Sequence, residues 1–256
     1  MRKALVQFLC AFVPSAVLRH KIRDRFLSNT RQIYWSFKPY FNSGKNNKVV
    51  VIFENGKRKT LSKYQRIQGI NIHFDGDNNL VEIEFPCKLW SSSIRFEYKG
   101  QHSRAFIGKN ASGQLGISLY YDNNIFTLGE NADMVQMSIA IINNELHIGK
   151  DCMISAGVII FGDGHSVLDY ATKKVINLPK APILIGDHCW LGMQTTFLKG
   201  AQIPNDCIVG FKSLVTKPFT TEHCVIAGNP AKIVKEGISW DKPAPVVYKR
   251  DIEDKK

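Results

Sequence analysis

His165 follows Asp163 and Gly164 in the stretch FGDGHSVLDYATKKVINLPKAP, residues 161–182, and Trp190 comes 25 positions later. Histidine is the side chain that exchanges protons near neutral pH, so it suits general acid–base work. A carboxylate such as Asp163 or Asp169 would orient its ring, or would simply be solvated on a surface loop. Gly164 would allow a tight exit from the preceding element. Tryptophan offers a broad apolar face, which makes a ligand platform or a packing surface between subunits. His165 and Trp190 would therefore line one groove, if the elements around them set them side by side.

Those elements show in the spacing of apolar residues. Ile185, Leu191, Phe197, Ile203, Val209 and Val215 recur every six positions. Four residues after the first five of these stands something small: Cys189, Thr195, Ala201, Cys207 and Ser213. Helices need apolar spacing of three to four and strands need two, so six fits neither. It fits a solenoid whose hexads are short flat faces, three to a triangular coil, with aliphatic residues inward and small ones at the corners. The unit recurs upstream at Ile107–Ala111, Leu128–Ala132 and Ile148–Cys152. There the longer steps imply short outward loops and one large insertion before Ile185. Asn-rich corners such as Asp122-Asn123-Asn124 suit left-handed backbone. The solenoid is expected from about Lys48 to Thr220. Trp190 follows a corner residue and so points outward.

The 256 residues carry a net charge of +12 and 44% hydrophobic content. Solenoids grow by adding coils, so this length fits one elongated domain. Cys152, Cys189 and Cys207 share the small corner slot, which reads as buried apolar packing rather than a disulfide framework or metal site. Cys10, Cys87 and Cys224 share no spacing and look incidental, and the compartment reads as reducing. The charge is uneven. Residues 1–40 hold eight basic side chains and one acid, a net +7, leaving +5 for the rest. Ala4 to Leu18 is apolar but shorter than the roughly 20 residues a membrane span needs, and no cleavage site follows it. Either this arm lies in an anionic membrane interface or it caps the solenoid. No nucleic-acid motif accompanies the charge.

The segments IGKDCMISAGVIIFGDGHSVLD, IGDHCWLG, VGFKSLVTKPF and VIAGNPAKIV resemble the hexapeptide-repeat acyltransferases, in the branch of sugar O-acetyltransferases that modify capsule and lipopolysaccharide. The resemblance implies an all-β solenoid, a left-handed parallel β-helix. It would comprise a basic helical arm (1–45), a β-helix acyltransferase domain (46–235) with a loop extruded at about 162–182, and a tail (236–256). It also implies direct transfer from acetyl-CoA to a sugar hydroxyl in a ternary complex, with His165 as general base. A backbone N–H at Gly192 or Met193 would hold the oxyanion. Trp190, Gly210, Phe211, Thr216 and Lys217 would contact the cofactor, and Lys232 and Lys235 its phosphates, as point charges. For the three lysines, solvated surface charge is the alternative. Where relatives often place an acceptor-binding Asn, this chain has Gln136; Asp163 is the other acceptor candidate.

The same resemblance implies a homotrimer with acetyl-CoA between neighbours and a bacterial surface glycan as acceptor, acidic glycans among the candidates. The enzyme would be cytoplasmic, at the inner membrane face if residues 1–40 bind lipid. No metal is expected: zinc enzymes on this scaffold need three converging histidines, and only His165 and His188 lie close. His188 occupies the Asn/Asp slot of the repeat and reads as coil surface, as does His147. An N-acetyltransferase on an amino sugar nucleotide and a non-catalytic scaffold are the rival functions.

Overall fold

The computed structural model describes residues 33–36, 44–160, 163–178 and 181–253. Of the basic helical arm expected over residues 1–45, only residues 33–36 and 44–45 are among the described residues. Within that range the chain forms not helix but a short strand, Ile33–Trp35, antiparallel to Gln65–Ile67.

The chain then winds as a parallel β-solenoid with three faces. Lys48–Ile52, Leu80–Glu84, Arg104–Ile107, Ile125–Leu128, Glu145–Ile148, Ile183–Ile185 and Gln202–Ile203 stack on the first face. Met153–Ile154, Trp190–Leu191 and Ile208–Val209 continue the second, and Val158–Ile160, Thr196–Phe197 and Leu214–Val215 the third. The period of six is realised residue by residue. Leu191, Phe197, Val209 and Val215 have no exposed surface, and Ile185 and Ile203 only 3%. The corner residues Cys189, Thr195, Ala201, Cys207 and Ser213 are buried with them.

Two columns explain how corners turn. Asn110, Asn131, Asp151, His188 and Asp206 all adopt positive φ, between 53° and 59°. Their side chains join neighbouring coils: Asn110 Nδ2 donates to Asn131 Oδ1 (3.0 Å), Asn131 Nδ2 to Asp151 Oδ1 (2.8 Å), and His188 Nδ1 meets Asp206 Oδ1 (2.7 Å). Beside them runs a buried column of Ala111, Ala132, Cys152, Cys189 and Cys207. Cys224 proves to belong to it, with its Sγ 3.5 Å from that of Cys207. Its step is 17 residues, so a strict hexad count misses it. Burial pushes the Cys224 thiol up to about 12. The Cys189 thiol is raised too, by its contact with Cys152 and by burial.

The upstream coils differ from expectation. Their extra residues do not form outward loops; they lengthen the strands. Ser112–Tyr120 and Asp133–Ile142 run across both the second and third faces. The corner between these faces survives as two consecutive exposed residues, Val135 and Gln136, which break the alternation of Asp133–Ile142. After the last coil the chain reverses: Ala231–Glu236 pairs antiparallel with Cys224–Gly228 and closes the edge of the second face.

Candidate functional site

The large insertion leaves the solenoid at the corner between the third and first faces, after Val158–Ile160 and before Ile183–Ile185. It is not an unstructured loop. Leu168 and Val175 form an antiparallel bridge, Ile176 N donates to Val167 O (2.9 Å), and the turn is closed by Thr172 N on Asp169 Oδ1 (2.7 Å). These Thr172 donors hold the Asp169 carboxyl below the ordinary carboxylate range. His165 stands exposed near its base.

That base is clamped by residues the sequence did not single out. Asn177 Nδ2 donates both to the His165 carbonyl (2.8 Å) and to Asp163 Oδ2 (2.9 Å), while Asn177 Oδ1 accepts from Val167 N (2.8 Å). Lys199, from the same corner one coil on, donates to the Asn177 carbonyl (2.8 Å) and forms an ion pair with Asp163. Lys199 is the main cause, with Asn177, of an Asp163 carboxyl held below its usual range. The Asp163 carboxylate thus ties the loop to the coil. Gly164 is a correction: it takes no left-handed backbone angle, and a Cβ there would meet nothing within 4 Å. The exit owes nothing to its being glycine.

Gln136, Gly192, Met193, Gly210 and Phe211 share the other long edge, between the second and third faces. Gly192 N donates to Val209 O (2.8 Å) and Lys212 N to Met193 O (3.0 Å), stacking these corners coil on coil. A Cβ on Gly192 would lie 2.6 Å from the Val209 carbonyl oxygen, so glycine there is a packing requirement. Met193 and Phe211 are exposed, at 45% and 57%. Ser213 Oγ donates to the Gly210 carbonyl (2.7 Å) and accepts from Gly228 N (3.2 Å), fixing the turn before the final hairpin. Thr216 and Lys217 follow the third face, at the loop's own corner, and both are exposed. Lys232 and Lys235 stand exposed on the closing strand, opposite Ala227 and Val225.

Trp190 does point outward, 36% exposed, but the tail covers part of it. Trp240 donates its indole N–H to the His188 carbonyl (2.7 Å), stacks on the His188 ring at 4.5 Å, and tilts against Trp190 at 6.2 Å. With Pro243, Pro245 and Tyr248 the two indoles line an open pocket of about 780 Å³ over Met153 and Ile208. No residue of the extruded loop lines it. Within one chain, then, His165, Asp163, Thr216 and Lys217 gather on one edge, whereas Gln136, Met193 and Phe211 gather on another. The single groove expected for His165 and Trp190 is not formed by one copy. Among the described residues no group of three or more His, Cys, Asp or Glu side chains could hold a metal ion.

Comparison with known proteins gives a consistent picture. A polysialic acid O-acetyltransferase of Neisseria meningitidis is 39% identical over 170 residues, covering 65% of this chain and 77% of that protein. One from Escherichia coli O1:K1 is 39% identical over 94 residues, a stretch that spans 30% of its length. The crystal structure of the polysialic acid O-acetyltransferase OatWY superposes with a TM-score of 0.65 at 30% identity, covering 84% of this chain and 95% of that one. No protein-family model matches the chain.

Proposed function

The chain belongs to the hexapeptide-repeat acetyltransferases, left-handed parallel β-helix enzymes, in the branch that O-acetylates capsular and lipopolysaccharide glycans, and we propose that His165 is its general base. Acetyl-CoA is the donor and a hydroxyl of a surface polysaccharide, most simply an acidic one, is the acceptor. The imidazole of His165 takes the hydroxyl proton as the oxygen bonds to the thioester carbon. The tetrahedral oxyanion is met by the backbone N–H of Met193 rather than that of Gly192, which already donates to the Val209 carbonyl. Collapse breaks the carbon–sulfur bond, and the departing CoA sulfur recovers the proton. The observation that carries this reading is the clamped loop. Asp163, Asn177 and Lys199 hold the backbone around an exposed histidine, which a surface base needs and an idle insertion does not.

Trp190, Gly210 and Phe211 supply surface for the pantetheine arm, and Thr216, Lys217, Lys232 and Lys235 serve the nucleotide end. Gln136 faces the acceptor. Because His165, Asp163, Thr216 and Lys217 lie on one edge of the prism and Gln136, Met193 and Phe211 on another, the site is completed in a homotrimer, where one copy's loop meets its neighbour's second-to-third edge. Acetyl-CoA places the reaction in the cytoplasm. The basic residues of 1–40 would hold it at the inner membrane face, each contributing roughly 1 kcal/mol near anionic lipid. No described helix is long and apolar enough to cross a membrane. Incubation with acetyl-CoA and a panel of capsular and lipopolysaccharide oligosaccharides, followed by mass spectrometry and alkaline treatment, tests the reading. An alkali-labile acetyl ester is expected. An alkali-stable amide, or no acetylated glycan at all, overturns it.

A further inference from the structure

Earlier in the chain, on the same edge of the prism as the extruded loop, three tyrosines meet. Tyr98 stacks on Tyr121 with ring centroids 5.2 Å apart and planes inclined by 21°, and Tyr120 tilts against Tyr98 at 5.6 Å. Tyr98 is 64% exposed and Tyr121 48%, so the rings are not there to fill a core. Their backbone is also unusual. Tyr98 (φ 56°), Lys99 (φ 52°) and Tyr121 (φ 65°) sit in the left-handed region, which bulky side chains avoid. The next turn of this corner uses Asn78, His102, Asn123 and Asn143 at similar angles, and asparagine tolerates them far better than tyrosine does. Strain of this kind collects at functional positions.

The ledge is also rigid. The buried Asn124 amide donates to the carbonyls of Tyr120 (2.9 Å) and Tyr121 (3.2 Å). Gly100 packs directly beneath, where a Cβ would come within 2.0 Å of the Tyr121 carbonyl oxygen. Parallel pairing runs from Ser92–Glu97 through Ser112–Tyr120 and Asp133–Ile142 to Val158–Ile160, each strand delivering the chain to this edge. The loop bearing His165 therefore leaves two strands beyond Tyr121 and three beyond Tyr98. At strand spacings of about 4.8 Å these are roughly 10 and 14 Å along the prism axis. One sugar ring adds about a strand spacing to an extended glycan.

We propose that the Tyr98–Tyr120–Tyr121 ledge is a remote acceptor subsite, stacking a sugar ring a few units away from the hydroxyl that receives acetyl. The C–H face of a pyranose lies on an exposed ring, and Lys99 stands beside it to meet a carboxylate if the sugar carries one. The enzyme then reads chain length, favouring polymer over free sugar. This rests on the polysaccharide acceptor proposed above.

The test uses the full chain, acetyl-CoA, and eight-unit and two-unit fragments of polysialic acid. Tyr98→Asn with Tyr121→Asn removes both rings while suiting the backbone; Tyr98→Phe with Tyr121→Phe keeps them. The wild type should show a lower KM for the octamer than for the dimer. The Asn pair should raise the octamer KM about tenfold with kcat and the dimer kinetics unchanged, and the Phe pair should behave as wild type. Transfer by the wild type without a length effect, or an Asn pair indistinguishable from it, overturns the ledge alone. Loss of oligomeric state in the Asn pair, seen by light scattering, makes the tyrosines a contact between copies and also overturns it. A wild type that acetylates neither fragment overturns the polysialic acid acceptor, and the ledge with it.

Discussion

The base proposed at His165 would be useful only if its loop holds still, and one lysine and one asparagine do the holding. Replacing His165 by alanine removes no packing, since the side chain is exposed. Folding and CoA binding should survive while kcat falls by about two to four orders of magnitude, measured by thiol release from acetyl-CoA. Lys199→Ala is a different experiment, because it acts on Asp163. With Lys199 present, the folded carboxyl titrates below its ordinary 3.8. The clamp is thus fully formed above the unfolded value and is lost only as pH falls through the depressed folded one. Without Lys199, the Asp163 carboxyl should titrate upward toward 3.8, which carbon NMR of the carboxyl group will show, and hydrogen exchange across residues 163–178 should quicken. Lys232→Ala or Lys235→Ala should mainly raise the KM for acetyl-CoA and leave kcat near normal.

At the scale of elements, the two glycines at 164 and 192 have opposite meanings, and sequence alone does not separate them. Gly192 lies against the backbone of the next coil, so Gly192→Ala forces the Val209 carbonyl to move and should lower the melting temperature. Gly164→Ala meets open space and should leave the melting temperature unchanged within error of a thermal scan. The inward column from Ile185 to Val215 was legible because a fixed period imposes itself on every coil, whatever the local propensity. The loop was legible as a break in that period. Lys199 and Asn177 were not, because their partners come from across a corner and no spacing rule links residues 36 and 14 positions from Asp163. Nor was the cover over Trp190: the sequence around Trp240 shows no repeat, and only the tail's return path brings it to His188. The upstream coils misled for a related reason. Extra residues in a step read as loops, whereas alternating apolar residues let Ser112–Tyr120 and Asp133–Ile142 absorb them as strand.

The whole molecule poses a problem that one copy does not solve. The loop bearing His165 occupies one long edge, and the glycine-lined edge with exposed Met193 and Phe211 occupies another. A prism is stiff along its axis, since every coil is hydrogen-bonded to the next, so bending the two edges together would break those ladders. The proposed homotrimer would solve it without deformation. Under three-fold rotation each copy would set one edge beside its neighbour's other edge, which would give three identical sites and leave no unmatched interface. Phe211 at 57% exposure and Met193 at 45% would then be contact residues as well as cofactor wall. The full-length chain should therefore scatter light as a trimer at micromolar concentration, and Phe211→Glu should shift it toward monomer with loss of turnover. Mixing is the sharper measurement. His165→Ala chains keep a sound second-to-third edge, and Phe211→Glu chains keep a sound loop. Co-assembled from the two parents, mixed trimers should regain a fraction of wild-type turnover that neither parent shows alone. A fully active monomer, or no recovery in trimers shown to be mixed, would mean that each chain builds its site from its own residues.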